Sequence, residues 1–199
     1  MQKKILIAVV SVVAIISVIY SLSGGQTQEQ LEEEIAKHRD ETDRFMRFSD
    51  ESPFKDADIE YKELNYYPAD LKYKIKARFT PVDTQEIYTL QTNDGKEKQY
   101  LTYGTASFEF EETMNELIIL ENVEENELFL AFGDETSAIE TYGAGRYLDV
   151  THTGGNSIVL DFNKAYNPFC AYNESYTCPL PPRINLLQVA IRAGEKTYE

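Results

Sequence analysis

The chain has 199 residues, with 19 basic and 34 acidic side chains and a formal net charge of −15 at pH 7. So acidic a surface repels nucleic acid and anionic lipid, which argues against a nucleic-acid partner and favours cations or basic partners, although acidity also serves solubility alone. The length suits one domain with a substantial core and is too short for two.

The N-terminus carries an apolar segment. Lys3 and Lys4 precede an 18-residue run, Ile5 to Leu22, which as an α-helix would span about 27 Å, close to the thickness of a bilayer core. This length favours a retained signal anchor over residues 1–23, while a small-residue pattern ending at Ser23 leaves a cleaved signal peptide open. The charges flanking the run predict a cytoplasmic N-terminus. We therefore expect a membrane contact through residues 5–22, a domain on the outer face of the inner membrane, and export if cleavage follows Ser23.

An amphipathic helix is predicted over residues 24–50. Thr27 and Gln30 have the spacing of a capping box, and the helix is expected to run to about Phe48. One face carries apolar and weakly polar side chains at spacings of four and three residues, namely Leu31, Ile35, His38, Thr42 and Phe45. We expect this face to dock onto the following domain, with His38 packed or hydrogen-bonded instead of acting as a ligand.

Beyond Pro53 the pattern changes to a period of two, which predicts a β-rich domain over residues 51–199. Nine runs have strand character: 73–79, 86–91, 98–103, 107–111, 116–120, 128–132, 146–151, 157–162 and 187–192. Asn93-Asp94-Gly95 and Gly154-Gly155-Asn156 predict hairpin turns between runs. About nine short strands without interleaved helices indicate a mainly β fold, an antiparallel β-barrel or sandwich.

A glycine-rich segment, Thr141 to Arg146, precedes one of these strands. Its backbone is suited to approach a ligand closely, and Arg146 is a candidate clamp for a carboxylate or phosphate. The segment lacks the lysine and the strand-to-helix context of a nucleotide-binding loop. The alternative is a tight loop whose arginine pairs with an acid such as Asp134 or Glu140.

Polar side chains lie at the end of the strand predicted over residues 157–162, where a barrel mouth is expected. Together with the glycine-rich segment they suggest a pocket rimmed by Tyr142, Arg146, Asp161, Asn163 and Asn167. Asparagine before proline is also ordinary turn chemistry, so Asn167 has a structural alternative. This prediction requires that the two segments converge in space.

Cys170 and Cys178 are separated by seven residues. In an exported domain a disulfide between them is permitted, and it would stabilise the fold by about 2.6 kcal/mol through chain entropy. No spacing to His38 or His152 matches a zinc motif, so no metal site is predicted, and Cys170 has no obvious histidine partner beyond His152 for nucleophilic catalysis.

Several segments together resemble domain-of-unknown-function family 1684, a group of bacterial and archaeal proteins, over nearly everything after the membrane segment. The segments are His38-Arg39, Asp43-Arg44-Phe45, Ser52-Pro53, Leu64-Asn65-Tyr66-Tyr67-Pro68-Ala69-Asp70, Thr136-Ser137, Thr141-Tyr142-Gly143, Tyr147-Leu148, Asp161-Phe162-Asn163-Lys164-Ala165-Tyr166-Asn167-Pro168, Cys170-Ala171-Tyr172, Cys178-Pro179-Leu180-Pro181-Pro182 and Ala193-Gly194-Glu195-Lys196.

The resemblance implies no particular activity, cofactor or catalytic residue. Where the family often has Thr-Ser-Gly this chain has Thr136-Ser137-Ala138, which counts against a positive backbone φ at residue 138. Some relatives lack an export segment, and that similarity counts against a purely structural disulfide and leaves a reduced cysteine pair open.

Three functions are consistent with the sequence. The first is a membrane-anchored extracytoplasmic β-domain that binds a small polar or anionic ligand, or an envelope partner. The second is a hydrolase-like enzyme with Asp161 or Asp134 as general base and Arg146 as electrostatic stabiliser. The third is a structural envelope protein without a pocket. No cofactor is indicated by the residues.

Overall fold

The computed structural model describes residues 25–55 and 59–198. The predicted membrane segment, Ile5 to Leu22, lies outside these residues. Within the two described ranges, no helix has the length and apolar character needed to cross a membrane.

Helix α1 spans Gln28–Phe48 and begins at the predicted capping box. The Thr27 side chain accepts a hydrogen bond from the Gln30 backbone N–H, and the Gln30 side chain accepts one from the Thr27 N–H. Leu31, Ile35 and Met46 are its buried side chains, so the predicted apolar face docks onto the domain. His38 on that face is half-buried, and burial lowers its pKa.

Charged side chains tie α1 to the β-domain. The Glu34 carboxylate accepts hydrogen bonds from Lys164 and, at 3.1 Å, from Lys74. The bond from Lys164 is the main reason that the pKa of Glu34 falls to about 2. Arg39 donates to the Tyr67 carbonyl at 2.8 Å and lies over the Tyr66 ring. The helix is therefore fixed to the sheet by polar contacts as well as by its apolar face.

In the described part of the β-domain, seven strands form one antiparallel sheet that curls into a half-barrel. They are β1 Lys74–Pro81, β2 Ile87–Gln91, β3 Glu97–Phe110, β4 Thr113–Asn122, β5 Glu127–Phe132, β6 Arg146–Val150 and β7 Ser157–Asp161. The order is β6-β5-β4-β3-β1-β7, with β2 beside the first half of β3. The fold is mainly β, as predicted, but within residues 59–198 seven strands form instead of nine, and one of the two predicted hairpins does not form.

Two of the nine predicted strands are parts of a single strand, and a third predicted strand does not form. Runs 98–103 and 107–111 belong to β3, which continues through Gly104, where the register with β4 shifts. A Cβ at Gly104 would lie 2.4 Å from the Phe79 ring, so glycine is needed for this close approach. Run 187–192 keeps its alternating burial without being a strand. Its backbone bonds at Leu187 and Val189 to residues 133 and 135, and its Ile191 carbonyl accepts a hydrogen bond from the Arg146 side chain.

The two predicted hairpin turns have different outcomes. Asn93-Asp94-Gly95 connects β2 and β3 as predicted, with Gly95 at φ +78°. Gly154 and Gly155 also turn at positive φ, but they connect β6 to β7, which lie at opposite ends of the sheet order. The prediction of a hairpin there is wrong because the curled sheet pairs β7 with β1 and β6 with β5.

The sheet is apolar on both faces. Its inner face packs the main core, which includes Phe79, Leu117, Leu130 and Leu148. On the outer face of β3, β5 and β6 lie Tyr100, Phe129 and Tyr147, and residues 166–179 cover them. This outer layer, formed by strands and a long loop, leaves a cavity between them.

Candidate functional site

Arg146 lies inside the protein. It shares the inner face of β6 with Leu148 and Val150, and only 1% of its side chain is exposed. One terminal nitrogen, Nη2, lies 2.9 Å from the Asp134 carboxylate and donates to the Ile191 carbonyl at 2.8 Å. The other, Nη1, donates to backbone carbonyls of residues 193 and 195. The geometry therefore agrees with the alternative in which Arg146 pairs with Asp134.

The glycine-rich segment packs closely against Phe132 and Pro181. Gly145 has φ +90°, and a Cβ there would lie 2.5 Å from Pro181 and 2.6 Å from the Phe132 carbonyl oxygen. Ala138 has φ +63° despite its side chain, so the expectation against a positive φ at this position is wrong. The turn from Thr136 to Thr141 requires that conformation, because Ala138 N–H bonds back to the Thr141 carbonyl.

Asp161 and Asn163 fix the chain that enters β1. Asp161 accepts hydrogen bonds from the Asn163 backbone and side chain, and its other oxygen lies 3.4 Å from Lys74 Nζ. The Asn163 side chain binds the backbone N–H and carbonyl of Asp70. These two predicted site residues are neighbours, and they bond to each other, to Asp70 and to Lys74.

Asn167 and Tyr142 lie apart from Asp161 and Asn163 and apart from each other in their contacts. Asn167 is buried and donates to the Glu195 carboxylate and to the Lys196 carbonyl. Tyr142 lines an open cavity of about 690 Å³ and donates to the Cys170 sulfur at 3.8 Å. Arg146 and Asn167 both contact Glu195, whereas Asp161 with Asn163, and Tyr142, form separate groups. The ligand-binding role of the five residues stays a prediction.

Glu195 is a buried carboxylate that the sequence reasoning missed. It is 0% exposed and receives the backbone and side-chain N–H groups of Asn167 and the hydroxyl of Tyr172. Burial raises its pKa to about 7. The available signal was its position, because Glu195 continues the alternation of the apolar residues 187–193 and lies in Ala193-Gly194-Glu195-Lys196, one of the segments that resemble the family.

The two cysteines are neighbours. Both are buried thiols in the structure, and the Cys170 backbone N–H donates to the Cys178 sulfur at 3.1 Å. A disulfide between them stays a prediction about the redox state of the protein. Among the residues described, no group of three or more His, Cys, Asp or Glu side chains comes together as a metal site.

An aromatic-walled cavity of about 310 Å³ lies on the outer face of the sheet, and we call it the aromatic cavity. Its walls are aromatic rings and prolines from β3, β5, β6 and the covering loop: Tyr100, Phe129, Tyr147, Tyr166, Pro168, Phe169, Tyr176 and Pro179. Phe129 stacks on Tyr100 with ring centroids 4.9 Å apart and meets the edge of Tyr147 at 4.8 Å. The Tyr147 hydroxyl donates to the Pro179 carbonyl, which joins the loop to the sheet.

The rim of the aromatic cavity is acidic. Glu125, Glu127 and Asp149 line it, with Lys98 as the basic member. Asp149 accepts a hydrogen bond from the Tyr166 hydroxyl at 2.7 Å, and burial together with Asp149 raises the pKa of Tyr166 well above its usual range. Lys98 Nζ lies 5.5 Å from the centre of the Tyr100 ring, so one aromatic face already attracts a cation of the protein itself.

Strand alternation explains how the aromatic cavity is built. Phe129 and Asp149 are cross-strand partners on β5 and β6, and both face outward with Tyr147. A second cavity of about 350 Å³ shares Glu127 and Asp149 with the first. Aromatic faces carry negative electrostatic potential, so rings and carboxylates favour the same kind of guest, a cation with apolar surface.

The family model described as "Protein of unknown function (DUF1684)" matches residues 59–196. This chain belongs to the DUF1684 family. The residues that line the aromatic cavity all lie within the matched range.

A solved structure is similar to this DUF1684 chain. It is the NMR structure in solution of an uncharacterized protein from Haloarcula marismortui, with 35% sequence identity and a TM-score of 0.66. The similarity covers 85% of this chain and 95% of that one. The comparison with curated proteins finds no match.

Proposed function

We propose that this protein is a binding domain for small organic cations and that the aromatic cavity is its site. The observation that carries the proposal is the convergence of six aromatic rings and three carboxylates on one cavity of about 310 Å³. That volume is at the lower end for ligand pockets, which suits an amine or quaternary ammonium compound. Each ring face in contact with the cation contributes about 0.5 to 2 kcal/mol.

The charge of the ligand follows from the residues at the rim. An anion would meet Glu125, Glu127 and Asp149, while a cation would be attracted by them. The earlier expectation of an anionic ligand depended on Arg146, whose Nη1 and Nη2 both donate to oxygens inside the protein. We therefore retain a small ligand and propose the opposite charge.

Lys98 contributes to the proposed selectivity of the aromatic cavity among cations. Its ammonium group lies near the Tyr100 ring and is only partly exposed. A bound cation must displace it or share the cavity with it, so a ligand of higher charge density gains less than one with methyl groups around nitrogen. Quaternary ammonium compounds are more weakly hydrated and lose less on entering an aromatic site, so we expect them to bind best.

We further propose that this domain is held on the outer face of the inner membrane by residues 5–22. The support is the 18-residue apolar run behind Lys3 and Lys4. Retention of the full-length protein in the membrane fraction after alkaline washing is the expected result. Recovery of a processed protein that begins after Ser23 in the soluble exported fraction would contradict the anchor.

The geometry does not favour the hydrolytic alternative. Asp134 borders a cavity of about 430 Å³, but its side chain is 1% exposed and its carboxylate is paired with Arg146. The carboxylate of Asp161 is engaged with Asn163 and Lys74. Neither oxygen pair is open to a substrate, as a general base would need to be.

The test of cation binding is an NMR titration of the full-length protein in a non-ionic detergent, with labelled tyrosine and phenylalanine rings. Choline is the probe, and its uncharged carbon isostere, in which a carbon atom replaces the nitrogen, is the matched ligand control. We expect ring signals of Phe129 and Tyr147 to shift with choline and about tenfold weaker binding of the isostere. Equal binding of both compounds would show that charge plays no part.

Variants separate the two sources of affinity. Phe129→Leu keeps apolar volume and removes a ring face, and we expect about fivefold weaker choline binding. Glu127→Gln with Asp149→Asn removes rim charge, so binding weakens and loses most of its dependence on salt concentration. Glu109→Gln, an exposed acid on β3 outside the cavity lining, is the control and leaves affinity unchanged. Equal effects of the rim and control variants would refute the proposal.

A further inference from the structure

The cysteine pair lies between two cavities. Cys178 lines the aromatic cavity, whereas Cys170 lines the open cavity of about 690 Å³ beside Tyr142. Each residue is 6% exposed, and each lines one of these openings. The larger opening is therefore the entry path to Cys170.

The surroundings of the two sulfur atoms differ. The Tyr142 hydroxyl donates to the Cys170 sulfur, and the Cys170 backbone N–H donates to the Cys178 sulfur. The thiols are also hydrogen-bonded to each other, which lowers the pKa of Cys170 to about 7 and raises that of Cys178. The donor to Cys170 is a side-chain hydroxyl, and that sulfur and its Tyr142 partner both belong to residues that line the open cavity.

We infer that Cys170 and Cys178 form a thiol–disulfide exchange site for small disulfides that enter beside Tyr142, with Cys170 as nucleophile and Cys178 as resolving thiol. The inference is independent of cation binding. It also goes beyond a structural disulfide, because the pair is held as two unequal thiols within reach of a substrate.

The exchange takes place in two steps, and atoms and electrons balance in each step. The Cys170 thiolate attacks one sulfur of the substrate disulfide, forms a mixed disulfide and releases the other half as a thiolate, which takes up a proton. Cys178 then loses its proton and attacks the Cys170 sulfur, which releases the second half as a thiol. The protein dithiol is oxidised to a disulfide, and the substrate disulfide is reduced to two thiols.

The backbone N–H of Cys170 has a defined part in the second step. While Cys170 is the thiolate, the Cys178 thiol donates to it. Once Cys170 is bound to the substrate that acceptor is lost, and negative charge on Cys178 is stabilised by the N–H group 3.1 Å away. The same contact holds the two sulfur atoms together for attack, so resolution should be fast compared with the first step.

The test uses the reduced full-length protein and an aromatic disulfide that releases a coloured thiolate, followed by mass spectrometry. We expect the wild type to release two thiolates per molecule and to retain no adduct, with its mass lower by two hydrogens. Cys178→Ala should release one thiolate and retain the adduct on Cys170. Cys170→Ala should react about tenfold more slowly, because the remaining thiol does not line the open cavity beside Tyr142 and burial still raises its pKa.

Tyr142→Phe tests the assignment of Cys170 as the nucleophile. It removes the donor to the Cys170 sulfur, so the pH midpoint of the reaction rate should rise, while Tyr88→Phe on β2 leaves it unchanged. If the alanine variants do not fold, wild-type protein quenched early in the reaction must carry its first adduct on Cys170. A first adduct on Cys178, adducts kept on both cysteines, or thiols that react only after unfolding in urea would each overturn the inference.

Discussion

Glu195 should make the protein less stable as the pH rises through neutrality. Its carboxyl group is 0% exposed, and burial raises its pKa from 4.5 to about 7 in the folded protein. In the unfolded chain the group returns to an ordinary pKa. Between these two values the folded protein binds more protons than the unfolded chain, so the free energy of unfolding falls as pH rises.

The magnitude follows from the two pKa values. They differ by about 2.5, and each pH unit between them changes the free energy of unfolding by about 1.4 kcal/mol, so the total loss is about 3 kcal/mol between about pH 4.5 and pH 7. His38 opposes this trend, since burial lowers its pKa and its contribution increases stability as the pH rises toward 6.5. The wild-type profile alone therefore mixes two effects of opposite sign.

The comparison with Glu195→Gln isolates the carboxyl group. Glutamine places an amide where Asn167 and Tyr172 donate, and this mismatch costs the variant some stability that is the same at every pH. The pH-dependent part is the prediction. Urea unfolding followed by circular dichroism should give a difference between the two proteins that shrinks by about 3 kcal/mol from pH 4.5 to pH 7.5.

A second variant checks the cause. The Tyr172 hydroxyl stabilises the ionised carboxylate and lowers its pKa, so Tyr172→Phe should move the transition to higher pH. Parallel stability profiles of the wild type and Glu195→Gln would refute the reasoning. They would mean that the carboxyl group is ionised at no energetic cost and hence that it is not buried as described.

Three further predictions concern stability. Ala138→Gly should stabilise the fold by about 1 kcal/mol, because residue 138 has φ +63°; Ala165→Gly, at φ −61°, is the control and should destabilise it, and equal signs in urea unfolding would refute the explanation. Asn185→Ala should lower the free energy of unfolding by about 3 kcal/mol, because the Asn185 side chain bonds to the backbone N–H and carbonyl of Ile118 on β4 and to the Ala131 carbonyl on β5. The control is Asn115→Ala, whose amide donates to the Thr113 carbonyl. A loss of stability in thermal unfolding no larger than that of the control would contradict the prediction. Glu34→Gln should cost about 1 kcal/mol at pH 6 after allowance for solvent screening, and because the folded pKa of Glu34 is about 2, the difference should vanish as pH falls from 4.5 toward 2; a difference that persists at pH 2 would contradict this.

Local rules were sufficient for the helix and for most of the strands. The α1 start depends on Thr27 and Gln30, three residues apart, and the alternation in β1 depends on neighbours along the chain. The inward orientation of Arg146 was also predictable, because it alternates with Leu148 and Val150, two apolar residues of the same strand. Its sequence neighbours, two glycines and an alanine, directed attention to a ligand instead.

Long-range contacts explain what could not be predicted. Residues 187–192 alternate like a strand, but they bond to residues 133 and 135, which follow β5, and to the Arg146 side chain. Glu195 is buried because Asn167 and Tyr172, more than twenty residues earlier, donate to it. The aromatic cavity gathers rings from β3, β5, β6 and the covering loop. No single segment contains that pattern, so the site is visible only after the sheet curls.

The most direct measurement of the central claim is the distance between a bound cation and the aromatic walls. With full-length protein and saturating choline, we expect intermolecular nuclear Overhauser effects from the N-methyl protons to ring protons of Phe129 and Tyr147. We expect these effects to be lost when Phe129 is replaced by leucine. Overhauser effects to rings elsewhere in the protein, or none at all, would contradict the assignment of the aromatic cavity as a cation-binding site.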